Sequence, residues 1–359
     1  MSPARLSRLA PAIAEARVDG LIVCRLPNIR YLTGFTGSSA LLLVAAEGGG
    51  ETVLFTDGRY KTQAAQEAAG LRVVVARRSV ARALAGSVKR RRLRRLAFES
   101  RGASFELYET LRSRLPGVRL KPVANVVEKL RMIKSAEEIE KIRRAAELNS
   151  AAFQATLSEV RPGSTEAEVA NRIDYQMRAL GAEKPAFDTI VASGPRSALP
   201  HARATSKALA SGELILIDQG AILDGYSSDM TRTVALGDVS ARAREVYHAV
   251  LEAQLAAISE VRAGVRAAQV DGQARKTLEK HGLEKSFVHS TGHGVGLEVH
   301  EHPRLGRGEK TRLEAGMVIT IEPGAYLEGL GGVRIEDLVL VTERGAEVLT
   351  STPKDLLVL

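Results

Sequence analysis

A chain of 359 residues can hold one large domain or two ordinary ones. Its 45% hydrophobic and 26% charged residues suit a soluble globular protein, and no apolar run is long enough to span a bilayer. The single cysteine, Cys24, excludes an intrachain disulfide, so a cytoplasmic setting is the default expectation.

The net charge of +9 is concentrated in Lys89–Arg95, where six of seven residues are basic. Such a run raises nucleic acid as a partner. No aromatic residues are interleaved and no nucleic-acid fold signature accompanies it, so a solvated face is expected, with no nucleic-acid and no membrane partner.

From the start of the chain, Leu6, Leu9, Ala10, Ile13 and Ala14 recur at helical spacing between Arg5, Arg8, Glu15 and Arg17. Residues 1–18 therefore predict an amphipathic helix and not a signal peptide. Strands are predicted at 21–24, 41–45, 52–56, 71–76 and 93–98, with helices at 60–69 and 104–115. A polar, glycine-bearing loop is predicted at 28–37, and Pro122 marks a break. This alternation gives an α/β domain over residues 1–127.

Residues 128–359 change in style. A long amphipathic stretch covers 128–157, with Lys134 and Glu138 among its expected exposed residues, and Ser135 with Glu138 forms a possible restart. Further helices are predicted at 164–180, 247–262 and 265–281.

Two hairpins carry acids. The apolar strand Glu213–Asp218 ends in a carboxylate, Asp224-Gly225 supplies a hairpin turn, and the return strand passes through Asp229. A bulge or longer loop is expected to fix its register. Later, Met317–Glu322 ends in an acid, the glycines at 329, 331 and 332 turn the chain, and Glu336 returns equally far from the turn. Between the hairpins, residues 287–303 hold four of the seven histidines: His289, His293, His300 and His302. Glycines at 292, 294 and 296 let backbone approach closely. Carboxylates at the ends of buried strands are costly unless paired or metal-bound. Four of them total −4, which two divalent cations balance. Opposed acids can bridge metals about 3.5–4 Å apart. Oxygen-rich ligation without thiolate suits manganese, cobalt, iron or zinc.

Several motifs carry a resemblance. They are Leu199-Pro-His201, Ile217-Asp218-Gln-Gly, Ser228-Asp229-Met-Thr-Arg-Thr233, His289-Ser-Thr-Gly-His293-Gly, Val299-His300-Glu301, Ile321-Glu322-Pro-Gly324 and Val333-Arg334-Ile-Glu336. In order and spacing they resemble the pita-bread metallopeptidases, within them the proline-specific Xaa-Pro aminopeptidases and Xaa-Pro dipeptidases (prolidases). Tyr31-Leu-Thr-Gly-Phe-Thr-Gly37 and Thr56-Asp-Gly-Arg-Tyr60 look like the creatinase-type N-terminal domain.

The resemblance implies an α+β protein: a pita-bread catalytic domain at 128–359 after a smaller α/β N-terminal domain at 1–127. It implies a homodimer acting on proline-containing peptides, with two divalent metals, manganese foremost. The implied ligands are Asp218, Asp229, His293, Glu322 and Glu336, with Asp229 and Glu336 shared and a bridging hydroxide as nucleophile. Glu322 would also handle the proton, and His201, His289 and His300 would surround the scissile amide. Arg334, Tyr226 and Thr231 would support the ligands. Dipeptidase and aminopeptidase both stay open. A methionine aminopeptidase or a non-catalytic binding protein on this fold is the alternative.

Overall fold

The computed structural model describes residues 3–46 and 50–359. It divides into two compact units, Met1–Arg131 and Met132–Leu359. The division falls inside a helix, Val126–Met132, a few residues past the sequence-based boundary at 127/128.

The first unit is a six-stranded sheet of order β4-β3-β2-β1-β5-β6. Its strands are β1 (Gly20–Val23), β2 (Ala40–Ala45), β3 (Val53–Asp57), β4 (Arg72–Ala76), β5 (Arg95–Glu99) and β6 (Arg119–Val123). Helices α1 (Pro3–Ser7), α2 (Ala10–Ala16), α3 (Leu26–Thr33), α4 (Lys61–Glu67), α5 (Val80–Arg90) and α6 (Phe105–Arg114) accompany it.

Three expectations change here. The single N-terminal helix is two, since Leu9 starts a new one before Pro11; Met1 and Ser2 lie outside the described residues. The predicted loop at 28–37 is largely helix α3. Pro27 sits in its first turn and Gly34 (φ +85°) ends it, so both punctuating residues frame a helix. Pro122 lies within β6, tolerated because β6 is the edge strand and needs no amide on its free side. The basic run closes α5 and opens β5, with Lys89, Arg90, Arg92, Arg94 and Arg95 exposed.

The second unit is built twice over. After α7 (Val126–Met132), the helix in which the division falls, it opens with α8 (Ala136–Leu157), where Ser135 and Glu138 form a reciprocal cap. α9 (Glu166–Ala179) follows. Next come β7 (Lys184–Pro185), β8 (Ile190–Ser193), β9 (Glu213–Gln219), β10 (Ala221–Leu223), β11 (Tyr226–Ser227) and β12 (Met230–Leu236). The plan then repeats with α10 (Ala241–Glu260), α11 (Ala267–Lys280), β13 (Gly292–Gly294), β14 (Glu301–Leu305), β15 (Val318–Ile321), β16 (Gly324–Leu327), β17 (Gly331–Arg334), β18 (Asp337–Val341) and β19 (Ala346–Val348).

The turn between the paired helices shows the repeat most clearly. Val160-Arg-Pro-Gly163 and Val261-Arg-Ala-Gly264 each end on a left-handed glycine, at φ +91° and +88°. Each is followed by a cap at the next helix start: Thr165 and Glu168 form a reciprocal capping box, and the Gln269 side chain accepts from the Arg266 amide (3.0 Å). The helices of each half pack on a sheet of the same half. One core joins α8 and α9 to β8, β9 and β12, through residues such as Phe153, Ile173, Ile215 and Val234. The other joins α10 and α11 to β15 and β18, through residues such as Tyr247, Leu278, Ile319 and Val339.

The two halves meet where β12 lies beside β17 and the start of β18. The Glu336 amide donates to the Thr231 carbonyl (3.1 Å), and the Thr233 hydroxyl donates to the Arg334 carbonyl (3.0 Å). That seam brings the acids of the two hairpins together.

Candidate metal centre

The first hairpin turns at Asp224 and Gly225, both with positive φ, and Leu223 pairs with Tyr226. The same register runs on into β9 and β12, where Asp218 pairs with Thr231. No bulge shifts it: the two-residue turn alone sets the register. Asp229 lies two residues from Thr231 and so faces the same side as Asp218, on the diagonal rather than level with it. In the second hairpin Ile321 pairs with Asp337 and Gly324 with Arg334, one register on both sides of Glu322 and Glu336. Those two acids therefore stand opposite each other.

Alternation sorts the neighbours. Thr231 and Glu336 face the site, where the Thr231 hydroxyl donates to Glu336 Oε2 (2.6 Å). Arg232 and Asp337, one residue along, form a buried pair at 2.7 Å, and Gln254 and Lys354 also donate to Asp337. That second acid is fully satisfied and is not available to the site.

His293 arrives on β13, squeezed between β14 and β15. A Cβ at Gly292 would sit 1.9 Å from the Thr320 carbonyl oxygen, and one at Gly294 would sit 2.2 Å from that of His302. Only glycine permits this approach. The His293 Nδ1 is bonded to the Gly294 carbonyl (3.1 Å), which leaves Nε2 as the free acceptor. Nε2 lies 3.6 Å from Asp229 and 3.4 Å from Glu322. Ligand atoms of Asp229, His293 and Glu336 all lie within 4.8 Å of one another.

The electrostatics are those of a crowded, dry cluster. Burial, with Glu336, Asp218 and Glu322 nearby, pushes Asp229 well above the ordinary carboxylate range. Glu336 is raised for the same reasons. Burial lifts Glu322 to about 7 even though Arg334 opposes it. Burial likewise lowers His293. Arg334 is buried among these acids, with Nη2 donating to Asp218 Oδ2 at 2.5 Å, and Asp218 Oδ1 is buried with no hydrogen-bond partner. Four carboxylates against one guanidinium leave negative charge in a water-poor site, with an orphaned oxygen and an imidazole lone pair aimed inward. A hard or borderline divalent cation fits this donor set.

Of the other candidates, His289 is the most firmly held. Its Nδ1 is bonded to the Ser290 carbonyl and its Nε2 to the Tyr326 hydroxyl, each at 2.8 Å. Tyr326 in turn accepts from Arg334 Nη1 (2.8 Å), completing a chain from Asp218 to His289. Burial, then Arg334, lowers the His289 pKa to about 4, so the ring is neutral. A cavity of about 410 Å³ opens beside His289, lined also by Phe287, Val288, Arg275 and Arg304. His300 is exposed, and its ring lies edge-on to that of His293 at 4.3 Å between centroids. His201 is exposed on the loop whose Pro200 carbonyl accepts from Arg334 Nη1 (3.2 Å).

Thr231 and Arg334 stand beside the ligand candidates, bonded to Glu336 and Asp218. Tyr226 does not: its hydroxyl donates to Glu138 on α8 (2.8 Å), and its ring packs in a core with Ile142, Val295 and Leu338. Glu138, expected on the surface, is buried by that bond and its capping role. Lys134, also expected exposed, is buried against Glu301 at 3.3 Å. Tyr326 was missed. The signal that could have found it is two-residue alternation from Glu322, which puts residues 322, 324 and 326 on one face.

Comparison with known proteins agrees along the whole chain. Residues 140–343 match metallopeptidase family M24, and residues 5–133 match the creatinase/prolidase N-terminal domain. The chain is 38% identical to a Xaa-Pro dipeptidase of Pyrococcus horikoshii, over 98% of each chain. It superposes on a Xaa-Pro dipeptidase from Bacillus anthracis with a TM-score of 0.96 and 40% identity, covering 99% of both chains. A Thermotoga maritima X-Pro aminopeptidase gives 0.90 and 37%, covering 99% of this chain and 100% of that one. The chain therefore belongs to metallopeptidase family M24, with the pita-bread catalytic fold behind a creatinase/prolidase N-terminal domain, and is a metal-dependent peptidase.

Proposed function

We propose that the chain is a dinuclear-metal exopeptidase that hydrolyses the bond before proline, with Xaa-Pro dipeptides as its substrates. The opposition of Glu322 and Glu336 beside Asp229, His293 and Asp218 carries this reading. The dipeptidase assignment draws on the names of relatives that align from end to end. The Thermotoga maritima relative keeps aminopeptidase action as the second reading.

In this reading Asp218, Asp229, His293, Glu322 and Glu336 would hold two divalent ions, manganese first, with Asp229 and Glu336 shared. Such ions, when bound, supply Lewis-acid polarisation and a water nucleophile of lowered pKa. The remaining work belongs to side chains. Glu322 takes a proton from the attacking water on its carboxyl and delivers it to the leaving proline nitrogen. His201 and His300 offer N–H donors to the carbonyl oxygen as it gains charge. His289 stays neutral and fixed, so it orients substrate rather than exchanging protons. Proline's missing N–H and fixed φ explain why its bonds need a dedicated site.

A cytoplasmic homodimer is the setting we infer, with no nucleic-acid or membrane partner. No described helix is long and apolar enough to cross a membrane. The deciding assay compares Xaa-Pro with Xaa-Pro-Yaa-Yaa, with manganese and with chelator. Metal-dependent cleavage of the dipeptide alone is expected. Preference for the longer peptide would make the chain an aminopeptidase, and no turnover with any divalent ion would sink the catalytic reading.

A further inference from the structure

Helix α11 carries Asp271 and Arg275, one turn apart, against the segment that bears His289. Asp271 is 1% exposed and accepts four hydrogen bonds. Two come from the Thr291 hydroxyl (2.8 Å) and amide (3.2 Å), and two from Arg275 Nε (2.8 Å) and Nη2 (3.2 Å). The Arg275 fork continues past its carboxylate. Its Nη1 donates to the Phe287 carbonyl (3.1 Å) and its Nη2 to the His289 carbonyl (2.5 Å). The guanidinium also lies 4.3 Å from the centroid of the Phe287 ring, and that ring meets His289 edge-on at 5.0 Å. Residues 287, 289 and 291 are thus each gripped by one ion pair.

The grip reaches the metal centre through backbone. The Thr291 carbonyl accepts from the Glu322 amide at 2.8 Å. An ion pair that served stability alone would need only its own two partners. Here the planar fork spends its remaining donors on loop carbonyls, which a single ammonium could not do.

We propose that the Asp271–Arg275 pair is a positioning device for His289: it fixes the height of residues 287–291, and so where the imidazole stands relative to Tyr326 and the carboxylate cluster. The proposal rests on the reading that His289 orients substrate. The bonds Arg275 makes go to Asp271 and to the Phe287 and His289 carbonyls, so its effect on catalysis runs through the loop. A displacement of about 1 Å in such a group can cost on the order of 100-fold in rate.

Arg275→Lys keeps a charge within reach of Asp271 and gives up the fork. kcat and KM for a Xaa-Pro dipeptide would be measured for the unchanged chain, Arg275→Lys, His289→Ala and the double variant, with metal content read by elemental analysis. The expected loss in kcat/KM for Arg275→Lys is about 10–100-fold with metal content unchanged. In the His289→Ala background the same substitution should cost less than about 3-fold, because the residue it positions is gone. Equal losses in both backgrounds, or no loss in the unchanged chain, overturn the proposal.

Asp271→Asn is the second variant and should show the same dependence on His289. Hydrogen exchange reads the device without substrate: amides of residues 287–291 should lose protection in Arg275→Lys while α11 keeps its own, and unchanged loop protection overturns the proposal. If the unchanged chain hydrolyses no proline peptide with any divalent ion, the functional reading fails by itself, and the exchange experiment still decides whether the pair holds the loop.

Discussion

At the scale of single residues, burial sets Asp229, a ligand candidate, apart from the exposed His300. Asp229 is 4% exposed and sits among three other acids, whereas His300 is exposed and its ring lies edge-on to that of His293. Two substitutions should therefore part company. Asp229→Ala removes a donor that the proposed centre shares and relieves like-charge crowding, so the fold should persist while metal content and activity are lost. His300→Ala should leave metal content intact and reduce turnover by about 100-fold, the size of a lost general acid–base or oxyanion contact. Elemental analysis beside steady-state kinetics checks both, and an active, metal-free Asp229→Ala would remove it from the centre. The acids were readable in the sequence because a carboxylate ending an apolar strand is too costly to bury without a cation or a donor to meet it. Tyr326 and Arg275 were not. An aromatic in a strand and an i,i+4 pair in a helix are ordinary features, and only the fold shows that one tethers His289 and the other grips its loop.

At the scale of elements, the pieces legible beforehand were those whose signals are local. The five predicted strands of the first unit and the helices α9 and α11 appear within a few residues of where periodicity put them, while α10 begins six residues earlier than expected, at Ala241. Helix α3 was hidden because eight residues framed by proline and glycine look like a turn. The exposure of Lys134 and Glu138 was misjudged because each has a partner far along the chain, Glu301 and Tyr226. Long-range partners leave no trace in a helical repeat. The Lys134–Glu301 pair also yields a prediction about how α8's entry is held against the segment following His300. Its side chains are 2% and 6% exposed, so removing Lys134 takes the cation away from a buried carboxylate that keeps the Glu298 amide as a donor (3.2 Å). Lys134→Met should destabilise the chain by about 3–5 kcal/mol, and adding Glu301→Leu should recover most of that. Urea midpoints of the two variants measure it; a double variant no better than the single would show that the pair does not act as a unit.

For the molecule as a whole, the metal centre is a concentrated source of pH dependence, and its sign can be worked out. Asp229, Glu322 and Glu336 have folded pKa values above their unfolded ones, so without metal the folded chain binds more protons than the unfolded chain. Their contribution to stability is complete below the ordinary carboxylate range and falls as pH rises. The neutral histidines His289, His293 and His300 act oppositely, since their depressed pKa values cost stability as pH drops below about 6.5. Between about pH 4.5 and 6.5 the two sets offset one another. Above 6.5 the histidine effect is exhausted while Glu322, at about 7, and its two neighbours still release protons on unfolding. The chelator-treated chain should therefore lose unfolding temperature from pH 6.5 to 8, at up to about 1.4 kcal/mol per pH unit for each proton involved. A divalent cation bound by these acids would displace those protons, so adding one should abolish the decline, and the stabilisation it gives should grow with pH. Glu322→Gln should flatten the metal-free profile near pH 7, where Glu322 itself titrates. Thermal scans across this window, with chelator and with manganese, measure all three effects. A metal-free unfolding temperature that rises from pH 6.5 to 8 would mean the acids are already ionised in the empty site, and the crowding of four carboxylates around one guanidinium would have to be relieved by some other cation.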